Sequence, residues 1–107
     1  MTPQLNEEQL QALRAKHGDV FELKVPTDDS GENFTYAYLK SPSRAIMGAV
    51  LHQMGMNSIT ANETLLKNCM IAEVSDPEIL TKDELFYSCS TALGGIITVR
   101  KAELKKS

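Results

Sequence analysis

The sequence contains no tryptophan, and aromatic residues make up only 6% of its 107 positions. It also lacks any stretch approaching the ~18 consecutive apolar residues that a membrane span needs. Residues 1–8 are polar and acidic, without the basic start and apolar centre of a secretory signal. We therefore expect a cytoplasmic protein with no membrane contact.

A surplus of basic residues is also missing. Lys and Arg total 11 against 14 Asp and Glu, which gives a net charge of -3. A free-standing nucleic-acid-binding domain usually carries a basic surplus, so nucleic acid is not favoured as a partner. The basic run at residues 100–106 nevertheless keeps a small nucleic-acid-binding regulator as an alternative.

Chemically reactive residues are scarce. The two cysteines, Cys69 and Cys89, form no CxxC motif, and each falls at an apolar position of a predicted helix, so we expect buried free thiols. His17 and His52 have no Cys, His or Asp at the spacing of a helical metal-ligand pair. No nucleophile lies beside a base. The sequence therefore predicts no metal, no cofactor and no enzymatic activity.

An N-terminal helix is well marked by its ends. Asn6 and Gln9 have the spacing of a capping box, and Leu5 and Leu10 have the spacing of a hydrophobic staple. Gly18 follows the apolar stripe, where a glycine commonly ends a helix. Hydrophobic residues make up 42% of the chain. That proportion is enough for one core, so we expect a single domain over residues 1–107.

A β-hairpin is predicted within residues 19–40. Apolar residues alternate over 21–25 and again over 34–39, and a polar turn separates the two runs. Phe34, Tyr36 and Tyr38 share one face, which we expect to pack on the helices. A two-stranded ribbon has two unpaired edges, and tyrosine is favoured at interfaces, so strand addition or a homo-oligomer contact is the alternative.

The remaining residues, 41–107, predict a three-helix half. Candidate capping residues are Ser41 before Pro42, Thr60 with Glu63, and Thr81 with Glu84. The glycine pair at 94–95 predicts a bend or a close helix contact in the last helix. The predicted fold class is α+β: an N-terminal helix, one antiparallel β-hairpin, then the helical half.

Two residues of the helical half join the hairpin aromatics as candidate partner-binding residues. Arg44 lies near the start of a helix, where its charge opposes the helix dipole, which suggests that it contacts something. Met56 follows Gly55 and is expected to be exposed, and methionine lines adaptable binding surfaces. The candidate set is Phe34, Tyr36, Tyr38, Arg44 and Met56. The alternative is that tyrosines and methionines only fill the core.

Several segments together resemble a family of small phage and prophage proteins, the tail assembly chaperones. These segments are residues 16–23 (KHGDVFEL), 38–44 (YLKSPSR), 63–69 (ETLLKNC), 83–86 (DELF) and 102–106 (AELKK). The resemblance implies binding rather than catalysis, in the cytoplasm of a bacterial host cell. It implies a protein partner such as a tail tube or tape-measure protein. A minor structural component of the virion, at the head–tail joint or in the tail, is the alternative.

Overall fold

The computed structural model describes residues 2–93. Its elements, in chain order, are α1 (Glu7–His17), β1 (Val20–Pro26), β2 (Phe34–Lys40), α2 (Arg44–Met54), α3 (Ser58–Cys69), α4 (Glu78–Thr81) and α5 (Asp83–Leu93), with a 3-10 turn at Ala72–Val74. The α+β class is confirmed. The expected features at the 94–95 glycine pair and the basic 100–106 run lie outside the described residues.

Helix α1 begins and ends where its sequence predicts. The Asn6 side chain accepts a hydrogen bond from the Gln9 N–H (2.8 Å), and the Gln9 side chain accepts one from the Asn6 N–H (3.0 Å). At the other end Gly18 has a φ of 82°, a conformation that favours glycine. Both signals act between residues close in sequence, so they can be recognised without the rest of the fold.

The predicted starts of the later helices are wrong by a few residues. Helix α2 is capped by Ser43 rather than Ser41, because the Ser43 hydroxyl accepts from the Ile46 N–H. Helix α3 is capped by Asn57, which leaves Thr60 inside the helix. In both places two capping residues compete within a few positions, and the shape of the connecting turn selects one of them.

The start of α5 also differs from the prediction. Thr81 is the last residue of the short helix α4, and its hydroxyl donates back to the Glu78 carbonyl instead of capping a helix ahead of it. Helix α5 begins two residues later, at Asp83. A capping motif cannot show whether the chain arriving at it is already helical.

The hairpin is antiparallel, with Leu23 opposite Ala37 and Glu22 opposite Tyr38. Alternate residues therefore point to opposite faces of the sheet. One face carries Leu23, Val25, Ala37 and Leu39, which belong to the main core with α3 and α5.

Helix α1 packs on the other face of the sheet. There Leu13 of α1, Tyr38 and Ile71 form a second, smaller cluster. The aromatic face of β2 thus packs on a helix as expected, and within residues 2–93 that helix is α1, with Ile71 and Val74 beside it. The main helical core covers the opposite face, so the sheet lies between two layers of helix. In residues 2–93 no helix is long and apolar enough to cross a membrane.

Candidate functional site

The outer edge of β2 is covered by another part of the chain. Residues 70–76, here called the latch segment, run beside β2 and begin with a bridge between Met70 and Leu39. The Ile71 N–H donates to the Tyr38 carbonyl (2.8 Å), and the Asp76 N–H donates to the Tyr36 carbonyl (3.1 Å). The expectation that both hairpin edges are free is therefore wrong for β2.

Buried polar side chains fix the latch segment to β2. The Ser75 hydroxyl accepts from the Tyr38 N–H at 2.9 Å, and the Asp76 carboxylate accepts from the Thr35 hydroxyl at 2.6 Å. The same carboxylate accepts from the Glu78 N–H at 2.9 Å. Thr35, Ser75 and Asp76, here called the polar seam, are all buried. Each has a hydrogen-bond partner, so its burial carries no unsatisfied group.

The charge on Asp76 is favoured by these bonds. Burial opposes ionisation of the carboxyl, but the hydrogen bonds from Thr35 and from the Glu78 N–H outweigh it. The pKa of Asp76 therefore lies below its ordinary value of 3.8. The polar seam therefore joins the sheet to the helical half through a charged carboxylate that has its hydrogen-bond partners.

Tyr38 is committed to the fold. Its side chain is 0% exposed, and its hydroxyl accepts from the Leu5 N–H (2.8 Å) and donates to the Glu22 carboxylate (3.0 Å). Burial, with Glu22 beside it, raises the pKa of Tyr38 to about 12. Its placement among the partner-contacting residues is therefore wrong in this structure, because the ring and hydroxyl tie the N-terminal segment to the hairpin.

The other two hairpin aromatics are half-buried. Tyr36 packs against the smaller cluster that contains Leu13 of α1. The Lys24 ammonium lies 4.1 Å from the centre of the Phe34 ring. This cation–π contact covers part of the Phe34 face. Each ring thus has a neighbour within the fold, and only part of each is open to a partner.

Arg44 and Met56 are exposed, as a partner-binding role requires. Arg44 is the first residue of α2, and Met56, in the turn before α3, is 77% exposed. The sheet separates both from Phe34 and Tyr36, because α2 and α3 lie on the side of the main core. The five predicted residues do not form one site.

A different set of apolar residues is exposed at the turn between α2 and α3 and on the neighbouring part of α5. Among residues 2–93, the exposed large apolar side chains are Leu51 (48%), Met54 (45%), Met56 (77%), Ile59 (49%) and Tyr87 (54%). We call this set the apolar corner. Leu51 and Met54 are neighbours on one helical face. Ile59 and Tyr87 line a shallow cleft of about 120 Å³ that Phe86 also borders.

Helix α2 contributes to this surface because little of it is buried. It packs chiefly against α3, and Val50 is its one residue fully buried in the core. The periodicity of α2 predicts an apolar stripe but does not show which part of the stripe faces the core. The available signal is that Arg44 is the only charged residue in RAIMGAVLHQM, since an outer helix normally carries several.

An acidic cleft of about 370 Å³ lies between the hairpin loop and α5, and Asp28, Asp29 and Glu84 line it. The Asp28 carboxylate is occupied by the loop: hydrogen bonds from Asn33 and Ser30, among others, lower its pKa. No group of three His, Cys, Asp or Glu residues suited to a metal ion occurs in the described part of the chain. The hydrogen bonds to Asp28 therefore hold the shape of the hairpin loop.

Both cysteines are free and buried, which confirms the prediction of buried thiols. Burial raises the pKa of Cys69 and raises that of Cys89 to about 11. At neutral pH both groups are thiols rather than the nucleophilic thiolates.

Comparisons with known proteins support the fold. No protein-family model matches the chain, and no curated protein matches it significantly. The fold is similar to the solved structure of an uncharacterised protein from Bacillus stearothermophilus, with a TM-score of 0.61 and 16% identity. The similarity covers 90% of this chain and 98% of the other. At this level of identity it shows a shared fold and says nothing of activity.

Proposed function

We propose that this protein is a non-enzymatic binding factor, a phage or prophage tail assembly chaperone that holds an apolar segment of a tail protein against its apolar corner. The observation that carries the proposal is the exposure of four large apolar side chains within residues 51–59, at the turn between α2 and α3, together with Tyr87 of α5, which lines a cleft with Ile59. Single exposed apolar residues are ordinary, whereas a group of them on one surface is typical of an interaction site.

The side chains of the apolar corner can adapt to partner surfaces of different shapes. Two of its five side chains are methionines, whose flexible, polarisable chains adapt to differently shaped apolar surfaces. Fully burying a Leu, Ile or Met side chain contributes about 1.5–3 kcal/mol. Since these residues are about half exposed, each has roughly half of that left to contribute, enough for reversible capture when several act together.

The corner also favours a particular shape of partner. An exposed helix face flanked by a shallow cleft accepts an amphipathic helix whose apolar residues recur at i, i+3, i+4 and i+7. The cleft at Ile59 and Tyr87 also borders the acidic Asp83 and Glu63, the second of which is paired with Lys67 at 2.6 Å. Basic residues beside the apolar stripe of the partner would be favoured there. A tail tube or tape-measure protein with such a segment is the client that the resemblance implies.

The test measures aggregation of a purified tail tube or tape-measure protein by light scattering, with and without this protein. The double variant Met56→Glu/Ile59→Glu places charge in the corner and should lose protection. The matched control, Ala12→Glu/Ala15→Glu, adds the same charge to exposed positions of α1, on the opposite face of the sheet. It should protect as the wild type does. Equal protection by both variants would remove the corner from the proposal.

A further inference from the structure

We propose that β1 pairs with β1 of a second copy of this chain, which joins two hairpins into one four-stranded antiparallel sheet. The proposal concerns a surface separate from the apolar corner, and it does not depend on the chaperone function. It follows from the directions of the backbone groups in the hairpin and from the order of charges along β1.

The outer edge of β1 offers hydrogen-bonding groups. On β2, the carbonyls of Tyr36 and Tyr38 point outward to the latch segment. Their cross-strand partners on β1 are Lys24 and Glu22. In an antiparallel pair such residues direct their N–H and C=O groups away from each other. Those of Glu22 and Lys24 therefore point to the opposite edge, where no backbone group of residues 2–93 bonds to them.

The two edges of the hairpin thus differ. The latch segment covers the edge of β2, whereas, in the part of the chain that the structure describes, the edge of β1 presents a short row of backbone donors and acceptors that can pair with another strand. The side chains of Glu22 and Lys24 are exposed, and Leu23 between them is buried in the main core. A strand can reach the edge without displacing the core.

Charge order selects a second β1 as that strand. In an antiparallel pair of two β1 strands centred on Leu23, Glu22 of each copy lies opposite Lys24 of the other. Both opposite-charge pairs are favourable, and each pair exchanges its backbone hydrogen bonds. A shift of two residues in either direction places Glu22 opposite Glu22 or Lys24 opposite Lys24, which is unfavourable. Of these three registers, only the one centred on Leu23 makes both charged pairs between the two β1 strands favourable.

The neighbouring residues agree with this register. Phe21, half-buried against the core, lies opposite Val25 of the second copy, so the apolar face continues across the two-fold axis. Pro26 ends β1 and has no N–H, so it limits the paired segment. A two-stranded ribbon is marginal by itself, and four strands in one sheet are more stable. The contact is isologous, as closed dimers require.

Charge reversal provides the test. Sedimentation equilibrium of the full chain from about 1 µM to about 1 mM should show a monomer–dimer equilibrium. Glu22→Lys and Lys24→Glu should each weaken the dimer by about tenfold or more, because each turns both attractive pairs into repulsive ones. The two single variants, when mixed, should form a heterodimer, because each then meets its complement. The double variant Glu22→Lys/Lys24→Glu should dimerise as the wild type does.

Glu22 also accepts a hydrogen bond from Tyr38, so each variant is first checked for a wild-type circular dichroism spectrum. A variant that fails this check is replaced by Lys24→Gln in the same series, for which weaker dimerisation is expected. A wild type that stays monomeric throughout the range overturns the proposal. So does a dimer that the charge variants leave unchanged, since it must use another surface such as the apolar corner.

Discussion

Two regions of this molecule reverse the usual distribution of polar and apolar side chains. The polar seam places a carboxylate and two hydroxyls in the interior, and the apolar corner places five large apolar side chains at the surface. In the seam every side chain has a hydrogen-bond partner. In the corner, each of the five residues is between 45% and 77% exposed. The polar seam, with all its hydrogen-bond partners present, therefore belongs to the fold, whereas the apolar corner is the surface for which we propose a binding role.

Within the seam, the largest effect is expected from Asp76→Asn. Asn keeps the shape of the Asp76 side chain but loses its charge. Its amide NH₂ group then takes the place of one carboxylate oxygen, which accepted from the Glu78 N–H or from the Thr35 hydroxyl. Bonds to a charged group contribute more than neutral ones, so the free energy of unfolding should fall by about 2 kcal/mol. Urea denaturation measures the change, with Glu73→Gln, an exposed neighbour, as the control. A loss below about 0.5 kcal/mol would contradict the importance of the seam.

The same carboxylate makes stability depend on pH. Its pKa is lower in the folded protein than the ordinary value of 3.8. Ionised Asp76 therefore contributes stability that is fully present above pH 3.8 and is lost as the pH falls through its folded pKa. Urea midpoints of the wild type and Asp76→Asn should differ at neutral pH and converge below pH 3.8. Parallel midpoint curves across this range would show that the charge contributes nothing.

A smaller effect is expected from Ser75→Ala. The Ser75 hydroxyl is the acceptor of the Tyr38 N–H. Removing it leaves that group buried and unbonded, which costs roughly 1 kcal/mol. Amide hydrogen exchange should then be faster at Tyr38 than in the wild type, while exchange within α3 changes little. Ser88→Ala, which removes a hydroxyl bonded within its own helix, is a control that should be close to neutral.

The smallest effect on stability is expected in the apolar corner. The Leu51 side chain is already 48% exposed, whereas the adjacent Val50 is fully buried. Leu51→Gln should therefore change the free energy of unfolding by less than about 0.5 kcal/mol. Val50→Ala should cost about 2 kcal/mol, because it leaves a cavity in the core. Thermal denaturation of both variants checks this contrast. Similar losses at the two positions would mean that Leu51 is part of the core.

Local signals in the sequence predict part of this fold. The capping box of α1, its terminal glycine and the two strands follow from residues that contact near neighbours in the chain. The starts of α2 and α3 do not, because Ser41 and Ser43, or Asn57 and Thr60, are equally good caps taken alone. The turn that each helix makes to reach the core decides between them.

The candidate site is less predictable than the fold. The exposure of Met56 can be expected from its position after a helix-ending glycine. The complete burial of Tyr38 cannot, because its side chain is covered by residues far away in the chain, Leu13 of α1 and Ile71 of the latch segment. Nor does the sequence single out Leu51 and Ile59, because helical periodicity cannot tell an exposed apolar stripe from a buried one. Contacts between distant parts of the chain determine these outcomes.

The latch segment also has a consequence for the order of folding. Thr35 and Asp76 are 41 residues apart in the chain, and the segment between them contains all of α2 and α3. Closing so long a loop costs entropy before any bond in the seam forms. Once α2 and α3 have formed, the loop is effectively shorter, so the seam should close after the helical hairpin. Four residues of the apolar corner, Leu51, Met54, Met56 and Ile59, lie within this segment, so their side chains can change while Thr35 and Asp76 still hold its two ends together.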